Sequence, residues 1–430
     1  MKASALLQES PDPFLRSNGN PDPSAAPSPS QAATQPIKEE PARFPDPKAL
    51  LSVIGQESCL PFSIMLLRTE SPCPELEREL AGLADTPEKK ILVAQEQDVF
   101  FIFLHQKGSA EAKCIFHRLK QHQHGLLSAG IYSHPLANFS SSMAIGYGRK
   151  ALAHSLLLGP GSVAEFDAVS LNISGDEAYQ KGHIKDAIAE YEAALTLDPD
   201  NANVLNSLGV CFGVLQNLPK ALDAFARSHA AEPTEAMPVY NEGLIHEMQG
   251  ETEKARQCFV KALHLHPDSF ESAFHLGKNL MMQGKTAEAL PCLEKAHSLK
   301  PENGPVLKNL AEACFQHNDL TRAFALYRQA LRRMPRDPGV LSGLGACFDL
   351  KGENPDIAAT FCEEALKEEP DNGLFALRLA RIRFRQKQIE MAQPLFRLAQ
   401  KKGMVLTESE ETLLENNTEE SSSSDSHKLL

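Results

Sequence analysis

Residues spaced for chemistry are few in this chain, and each group falls short of a site. His117, His122 and His124 lie within eight residues. Three imidazoles could hold a metal, but no acid or Cys completes the ligand set, and solvated positions at a helix end are the simpler reading. His264 and His266 flank Leu265 ahead of Pro267 and read the same way. Gly146-Tyr147-Gly148-Arg149 lacks the third Gly of a dinucleotide fingerprint, and no Gly-x-x-x-x-Gly-Lys-[Ser/Thr] loop occurs. Nine cysteines stand at irregular spacing with no Cys-x-x-Cys, which is neither a disulfide framework nor a zinc site. Cys211, Cys314 and Cys347 read as small buried residues. No Ser/His/Asp set can be placed. The chain therefore reads as a non-enzyme with no metal or other cofactor.

One polar set does keep a register. Ser207, Asn241, His275 and Asn309 recur every 34 residues, and Tyr240, Phe274 and Lys308 each stand one residue earlier than the last three. An amide donates and accepts hydrogen bonds at once, so a row of this kind along one face could hold the backbone of an extended peptide. Solvated surface is the plainer alternative.

The elements that must position this row follow from a longer pattern. Pro199, Pro233, Pro267, Pro301, Pro335 and Pro370 are separated by 34, 34, 34, 34 and 35 residues. Ala187, Ala221, Ala255, Ala289, Ala323, Ala358 and Ala392 run in phase with them. Four residues after each alanine comes Tyr191, Phe225, Phe259, Leu293, Tyr327, Cys362 or Phe396. Three further on is Ala194, Ser228, Ala262, Ala296, Ala330, Ala365 or Ala399. Spacings of four and three put all three positions on one helical face. Gly175, Gly209, Gly243, Gly277, Ala311, Gly345 and Ala380 are small where two helices of a pair come close. Pro closes each unit because it cannot continue a helix. Each pair cannot bury its apolar face alone, so neighbours stack into an array that binds along an extended surface.

These positions resemble the tetratricopeptide repeat family, in seven units starting near 168, 202, 236, 270, 304, 338 and 373. The resemblance implies an all-α superhelical solenoid over residues 168–404. It also implies that the row from Ser207 to Asn309 lies in a concave peptide-binding groove. The family's early Trp is missing, since the chain has none. The sixth unit gains a residue around Gly352-Glu353-Asn354-Pro355, read as a longer turn between its helices. The seventh lacks the closing Pro and carries Pro394 with Arg378, Arg381, Arg383, Arg385 and Lys387, as a polar cap would. The family's clamp for a C-terminal carboxylate is matched only in part, by Lys308 and Asn309.

At 430 residues, two ordered domains with tails is the natural division. The net charge of −13 argues against sequence-independent nucleic-acid binding. No run of 18 apolar residues occurs, and the apolar stretch after Met1-Lys2 is short for a secretory signal, so a cytoplasmic location is expected. Residues 1–47 hold ten prolines and few aliphatics and should be disordered. The same is expected of residues 405–430, which are acidic and contain Ser421-Ser422-Ser423-Ser424. Lys and Arg are not concentrated on the polar row, so this acidic tail reads as solvated rather than as a groove inhibitor.

Residues 48–167 read as a small α/β domain. Strands are expected at Pro61 to Leu67, Lys90 to Ala94, Val99 to Leu104 and Leu126 to Tyr132. Helices are expected at Pro74 to Ala84, Ala110 to His122 and Ser141 to Leu158. The second and third strands form a hairpin across Gln95-Glu96-Gln97-Asp98. Glu96-Gln97-Asp98-Val99-Phe100, Ser128-Ala129-Gly130-Ile131 and Lys150 to Ser155 with Gly159 and Val163 together resemble the GGDEF nucleotide-cyclase family. The resemblance implies a degenerate, catalytically dead copy. Glu96 and Gln97 stand where the family has its Gly-Gly turn, Val99 replaces the second acid, and the strand ending at Arg68 supplies no metal-binding Asp. Paired carboxylates that could hold Mg²⁺ against a triphosphate are absent. Asp98 alone reads as a turn former.

The function expected from these readings is a non-enzymatic scaffold that binds a protein or peptide in the array. The N-terminal domain would supply a second docking surface or couple the array to signalling. The alternative is a nucleotide sensor, in which the degenerate domain binds without turnover.

Overall fold

In the computed structural model the described residues are 44–56, 60–70, 73–84, 91–121 and 127–414. Most of the two expected tails, with His122 and His124, lies outside them. Two compact units divide the chain, Met1–Ile245 and His246–Leu430.

The first unit opens with α1 (Lys48–Gln56), which the sequence reading did not mark. There follow β1 (Phe62–Thr69), α2 (Pro74–Ala84), β2 (Ile91–Glu96), β3 (Val99–His105), α3 (Ser109–Gln121), β4 (Leu127–His134), α4 (Ala144–Leu157) and β5 (Val163–Glu165). The strands form one sheet among the described residues, in the order β2-β3-β1-β4-β5. β1 pairs antiparallel with β3 and β4, β2 pairs antiparallel with β3, and β4 pairs parallel with β5.

An unbroken apolar run suits the central strand, because both faces of β1 are covered. Ile64 and Leu66 face a core with Phe101, Phe103, Ala151 and Leu152, on the side of α1 and α4. Met65 and Leu67 face a core with Leu76, Leu80, Ile115 and Phe116, on the side of α2 and α3. The sheet carries Gly130 where α4 crosses it: a Cβ there would stand 2.0 Å from the Leu152 backbone nitrogen. Phe44 is buried in the second core, so order begins ahead of residue 48.

No linker separates this domain from the array. Phe166 follows β5 directly, and Asp167 caps the next helix in a capping box with Ser170. The core on the α4 side continues through Phe166, Leu171, Tyr191 and Val204. Lys150 on α4 donates to both carboxylate oxygens of Glu190, at 2.6 and 2.5 Å.

The helical region begins with the pairs α5 (Ala168–Gln180) and α6 (Ile184–Leu197), then α7 (Ala202–Val214) and α8 (Leu218–Ala231). Next come α9 (Met237–Met248), α10 (Thr252–Leu265), α11 (Phe270–Met282) and α12 (Thr286–Leu299). The last pairs are α13 (Gly304–Gln316) with α14 (Leu320–Arg333), α15 (Pro338–Leu350) with α16 (Pro355–Glu368), and α17 (Gly373–Arg385) with α18 (Ile389–Lys401). Helix starts therefore fall at or beside the seven expected unit starts. Every member of the Ala, aromatic or aliphatic, and Ala/Ser series on the second helices is fully buried. The small residue opposite makes room for it: a Cβ on Gly209 would stand 2.5 Å from the Phe225 ring. The extra residue of the sixth unit lies between α15 and α16, where Gly352 and Asn354 both take positive φ, at 70° and 46°.

A further series escaped the sequence reading. Asn201, Ser269, Asn303, Asp337 and Asn372 each cap a first helix, with the side chain accepting from a backbone N–H of the first turn. This is the residue choice that satisfies orphan donors at a helix start.

The expectation of a disordered tail from residue 405 is overturned in part. A short helix, α19, covers 408–414. Leu406 and Leu414 join a core with Ala376, Ala380, Phe396 and Ala399. The apolar end of the last pair is covered by this segment, as a terminal repeat requires.

Candidate peptide-binding face of the helical repeats

The expected row does not lie on one open face. In the first unit Ser207 is 2 % exposed and Asn241 is fully buried, as is the Tyr240 ring beside it. Asn241 Nδ2 donates to Asn206 Oδ1 at 3.0 Å, tying α9 to α7. Ser207 Oγ is buried with no hydrogen-bond partner. Asn241, two residues before Gly243, is turned toward the preceding first helix α7. These three residues pack repeats together and are unavailable to a ligand.

The second unit is more open. Phe274 is buried and stacks on Phe270, with ring centroids 6.1 Å apart. His275, Lys308 and Asn309 remain partly exposed. His275 Nδ1 lies 3.3 Å from Glu247 Oε2, and Lys308 Nζ lies 3.0 Å from Asp337 Oδ2. Asn309 Nδ2 donates to Pro305 O at 2.8 Å, within its own helix.

Sequence reasoning missed the position one residue after the small one, which is occupied by Asp176, Lys278, Glu312 and Arg381 in four repeats. Tyr191 Oη donates to Asp176 at 2.6 Å and Tyr327 Oη donates to Glu312 at 2.5 Å. Both pairs are 15 residues apart, so the signal was present: an acid stands here in the two repeats whose second helix has Tyr. Lys278 Nζ is 3.9 Å from Glu247. Burial would raise the Glu247 carboxyl, but the hydrogen bond and charge of His275 and the charge of Lys278 outweigh it and hold the group below its usual range.

Arg378 is the strongest surprise. The basic seventh repeat reads as a polar cap, yet this residue is only 7 % exposed. Its guanidinium donates to both oxygens of Glu312, at 2.7 and 2.8 Å, and lies 5.1 Å over the Phe315 ring. It thus reaches across α15, where Ser342 Oγ accepts at 3.4 Å. Gly343 leaves space for the Tyr327 ring, which a Cβ would meet at 2.2 Å. Burial pushes the Glu312 carboxyl up, and the Arg378 charge and hydrogen bonds more than reverse it. Arg381 pairs with Glu410 of α19 at 2.7 Å, and Arg385 pairs with Asp349.

At the hairpin of the α/β domain, the turn is narrower than the sequence suggests: only Gln97 and Asp98 lie between the strands. Gln97 takes φ 54° without being glycine. Asp98 is not merely a turn former, since it accepts from Arg68 Nε at 2.7 Å. Glu96 pairs with Arg149. Val99 and Phe100 are ladder residues of β3. A cleft of about 570 Å³ adjoins the hairpin, lined by Arg68, Glu70, Glu77, Asp98 and Ser128 among others. Both hairpin carboxylates are taken up by guanidinium groups, an arrangement that does not fit a divalent ion.

Family models described as TPR repeat and tetratricopeptide repeat match residues 175–213, 240–303 and 280–347. Solved structures with a similar fold include PilF of Pseudomonas aeruginosa, at 20% identity over 48% of this chain and 94% of that one, with a TM-score of 0.44. Another is a tetratricopeptide repeat protein from Parabacteroides merdae, at 19% identity over 58% of this chain and 97% of that one, with a TM-score of 0.41. A third is YrrB, a TPR protein with an unusual peptide-binding site, at 17% identity, 43% and 95% coverage, and a TM-score of 0.39. No curated protein matches the sequence. The chain thus carries tetratricopeptide repeats at residues 175–213 and 240–347, within its run of paired helices.

Proposed function

We propose that this chain is a non-enzymatic adaptor that holds an extended peptide or protein segment on its repeats. One observation carries the reading. On α11 and α13, where most positions are buried, the polar residues His275, Lys278, Lys308, Asn309 and Glu312 stay partly exposed. Internal partners already orient His275, Lys308, Asn309 and Glu312. Pre-oriented groups lose less side-chain freedom on binding, which favours affinity. Both charge signs and an amide occur, so the face suits a polar backbone and mixed side chains. The α/β domain supplies a second docking surface in this reading.

A nucleotide-sensing role has weaker support. The cleft beside the hairpin presents Glu70, Glu77 and Asp98 against Arg68. A phosphate chain would meet an excess of negative charge there.

The test uses peptides selected from a random library on the immobilised full chain. Binding should fall about tenfold or more in Lys278→Ala/Lys308→Ala/Asn309→Ala, a loss of about 1.4 kcal/mol. Asn241→Ala should cost stability, about 1–3 kcal/mol for breaking a buried amide pair, with affinity retained. Undiminished binding by the folded triple variant would remove this face from the account.

A further inference from the structure

The third repeat breaks the pattern of the array at three positions. The residue before the small one is Leu208, Leu276, Leu310, Leu344 or Leu379 in five repeats, each of them buried, but Glu242 in the third. Three residues after the small one stand Ala178, Phe212, Leu280, Cys314 or Phe348 in five repeats, but His246 here. Three residues after the first alanine of the second-helix series stand Ala224, Leu326, Phe361 or Leu395 in four repeats, but Cys258 here. Cys292 holds that last position in the fourth repeat, without the other two changes. Glu242 and His246 are one turn apart on the single helix α9, and Cys258 comes from α10, the next helix. The three side chains converge: one ligand atom of each lies within 4.8 Å of the others. Local rules broken together at one place point to a site rather than to packing.

We propose that Glu242, His246 and Cys258 bind a zinc ion that ties α9 to α10. Thiolate, imidazole and carboxylate are the ligand types that Zn²⁺ takes, and three protein ligands leave the fourth place to water. The thiolate argues against Mg²⁺ and Ca²⁺, which take oxygen ligands. A tetrahedral zinc ion with bonds of about 2.0–2.3 Å holds its ligand atoms about 3.3–3.8 Å apart, so side-chain movements of roughly 1 Å close the set. Binding releases the thiol proton, because the thiolate is the ligand. The two anionic ligands then cancel the charge of the ion. That balance matters where His246 is only 8 % exposed, since an uncompensated buried charge is costly. The imidazole is already oriented: His246 Nδ1 lies 2.7 Å from Glu251 Oε2. With Nδ1 donating to Glu251, Nε2 is the nitrogen offered to a metal. A carboxylate on the far nitrogen fixes the tautomer and makes the imidazole a better ligand. Lys254 in turn holds Glu251, at 3.0 and 3.1 Å. A search for Cys-x-x-Cys misses this set, because its members sit at register positions on two helices. The site is distinct from the peptide-binding face on α11 and α13, and it stands or falls separately.

The test is titration of the reduced, chelator-treated full chain with Co²⁺ and then with Zn²⁺. Cobalt stands in for zinc, and a thiolate ligand gives it a charge-transfer band in the near ultraviolet. The wild type should show that band, saturating at one ion per chain, and added Zn²⁺ should bleach it. Cys258→Ala should lack the band yet keep its helical content, because Ala224 fills the same register in the second repeat. Cys292→Ala should keep the band. Glu251→Gln removes no ligand and should weaken Zn²⁺ binding about 10–100-fold. Zn²⁺ should raise the unfolding temperature of the wild type and leave that of Cys258→Ala unchanged. A wild type without the cobalt band would overturn the proposal, and that result needs no variant to fold. A band undiminished in Cys258→Ala would place the ion elsewhere and overturn it too.

Discussion

The Arg378–Glu312 pair shows how a charge can serve packing. Two ions taken from water recover their solvation only through close contact and full hydrogen bonding. Here the carboxylate meets a bidentate guanidinium and a tyrosine hydroxyl. Arg378→Met should destabilise the chain by up to about 3–5 kcal/mol, because it takes the cation from a Glu312 side chain that is only 21 % exposed. The pH dependence has a definite sign. In the wild type the Glu312 carboxyl is held below its ordinary value. Its contribution is therefore present above the unfolded value of about 4.3 and lost as pH falls through the folded one. In Arg378→Met burial is opposed only by the hydrogen bonds of Tyr327 and Gln316, so the carboxyl lies higher than in wild type and the deficit relative to wild type should shrink as pH drops from 7 toward 4. Denaturant unfolding at several pH values checks this, and a deficit that ignores pH would contradict it.

At this scale the sequence was legible where periodicity speaks and silent where partners are distant. The buried second-helix series could be read because burial imposes the same residue type at each turn of the pattern. The buried state of Ser207 and Asn241 could not, because a polar residue two positions from a glycine suits an interface or a groove equally. Arg378 finds Glu312 across 66 residues, and nothing local marks that partnership.

Among the elements, the sheet was read nearly strand for strand, since the apolar runs and the hairpin are local signals. Its close contact with α4 was not. Gly130 sits where the helix backbone touches β4, and backbone cannot step aside as a side chain can. Gly130→Ala should therefore cost at least about 1–3 kcal/mol, the usual range for overpacking, with loss of α4 protection in hydrogen exchange. A neutral effect would mean that α4 rides further from the sheet. The short helix at 408–414 was missed for a different reason. Its acidic composition reads as disorder, whereas Leu406 and Leu414 gain burial only against the end of α17 and α18.

For the molecule as a whole, the α/β domain and the first repeats share one core in the first unit. Phe62, Ile64 and Leu152 belong to the same cluster as Leu171, Tyr191 and Val204. Residues 48–167 made alone should lose that cover, unfold at lower temperature than the full chain and bind a hydrophobic dye. A fragment as stable as the full chain, with no dye binding, would show that the domain is independent. The boundary at 167/168 is thus a boundary of chain pattern rather than of packing, which composition along the sequence could not reveal.

The adaptor account rests on where a ligand docks. The most direct measurement is photo-cross-linking of a library-selected peptide to the full chain, with the attachment points mapped by mass spectrometry. The account predicts attachment on the exposed residues of α11 and α13, around His275 to Glu312. Attachment confined to the cleft beside Arg68 and Asp98, or scattered without preference, would contradict it.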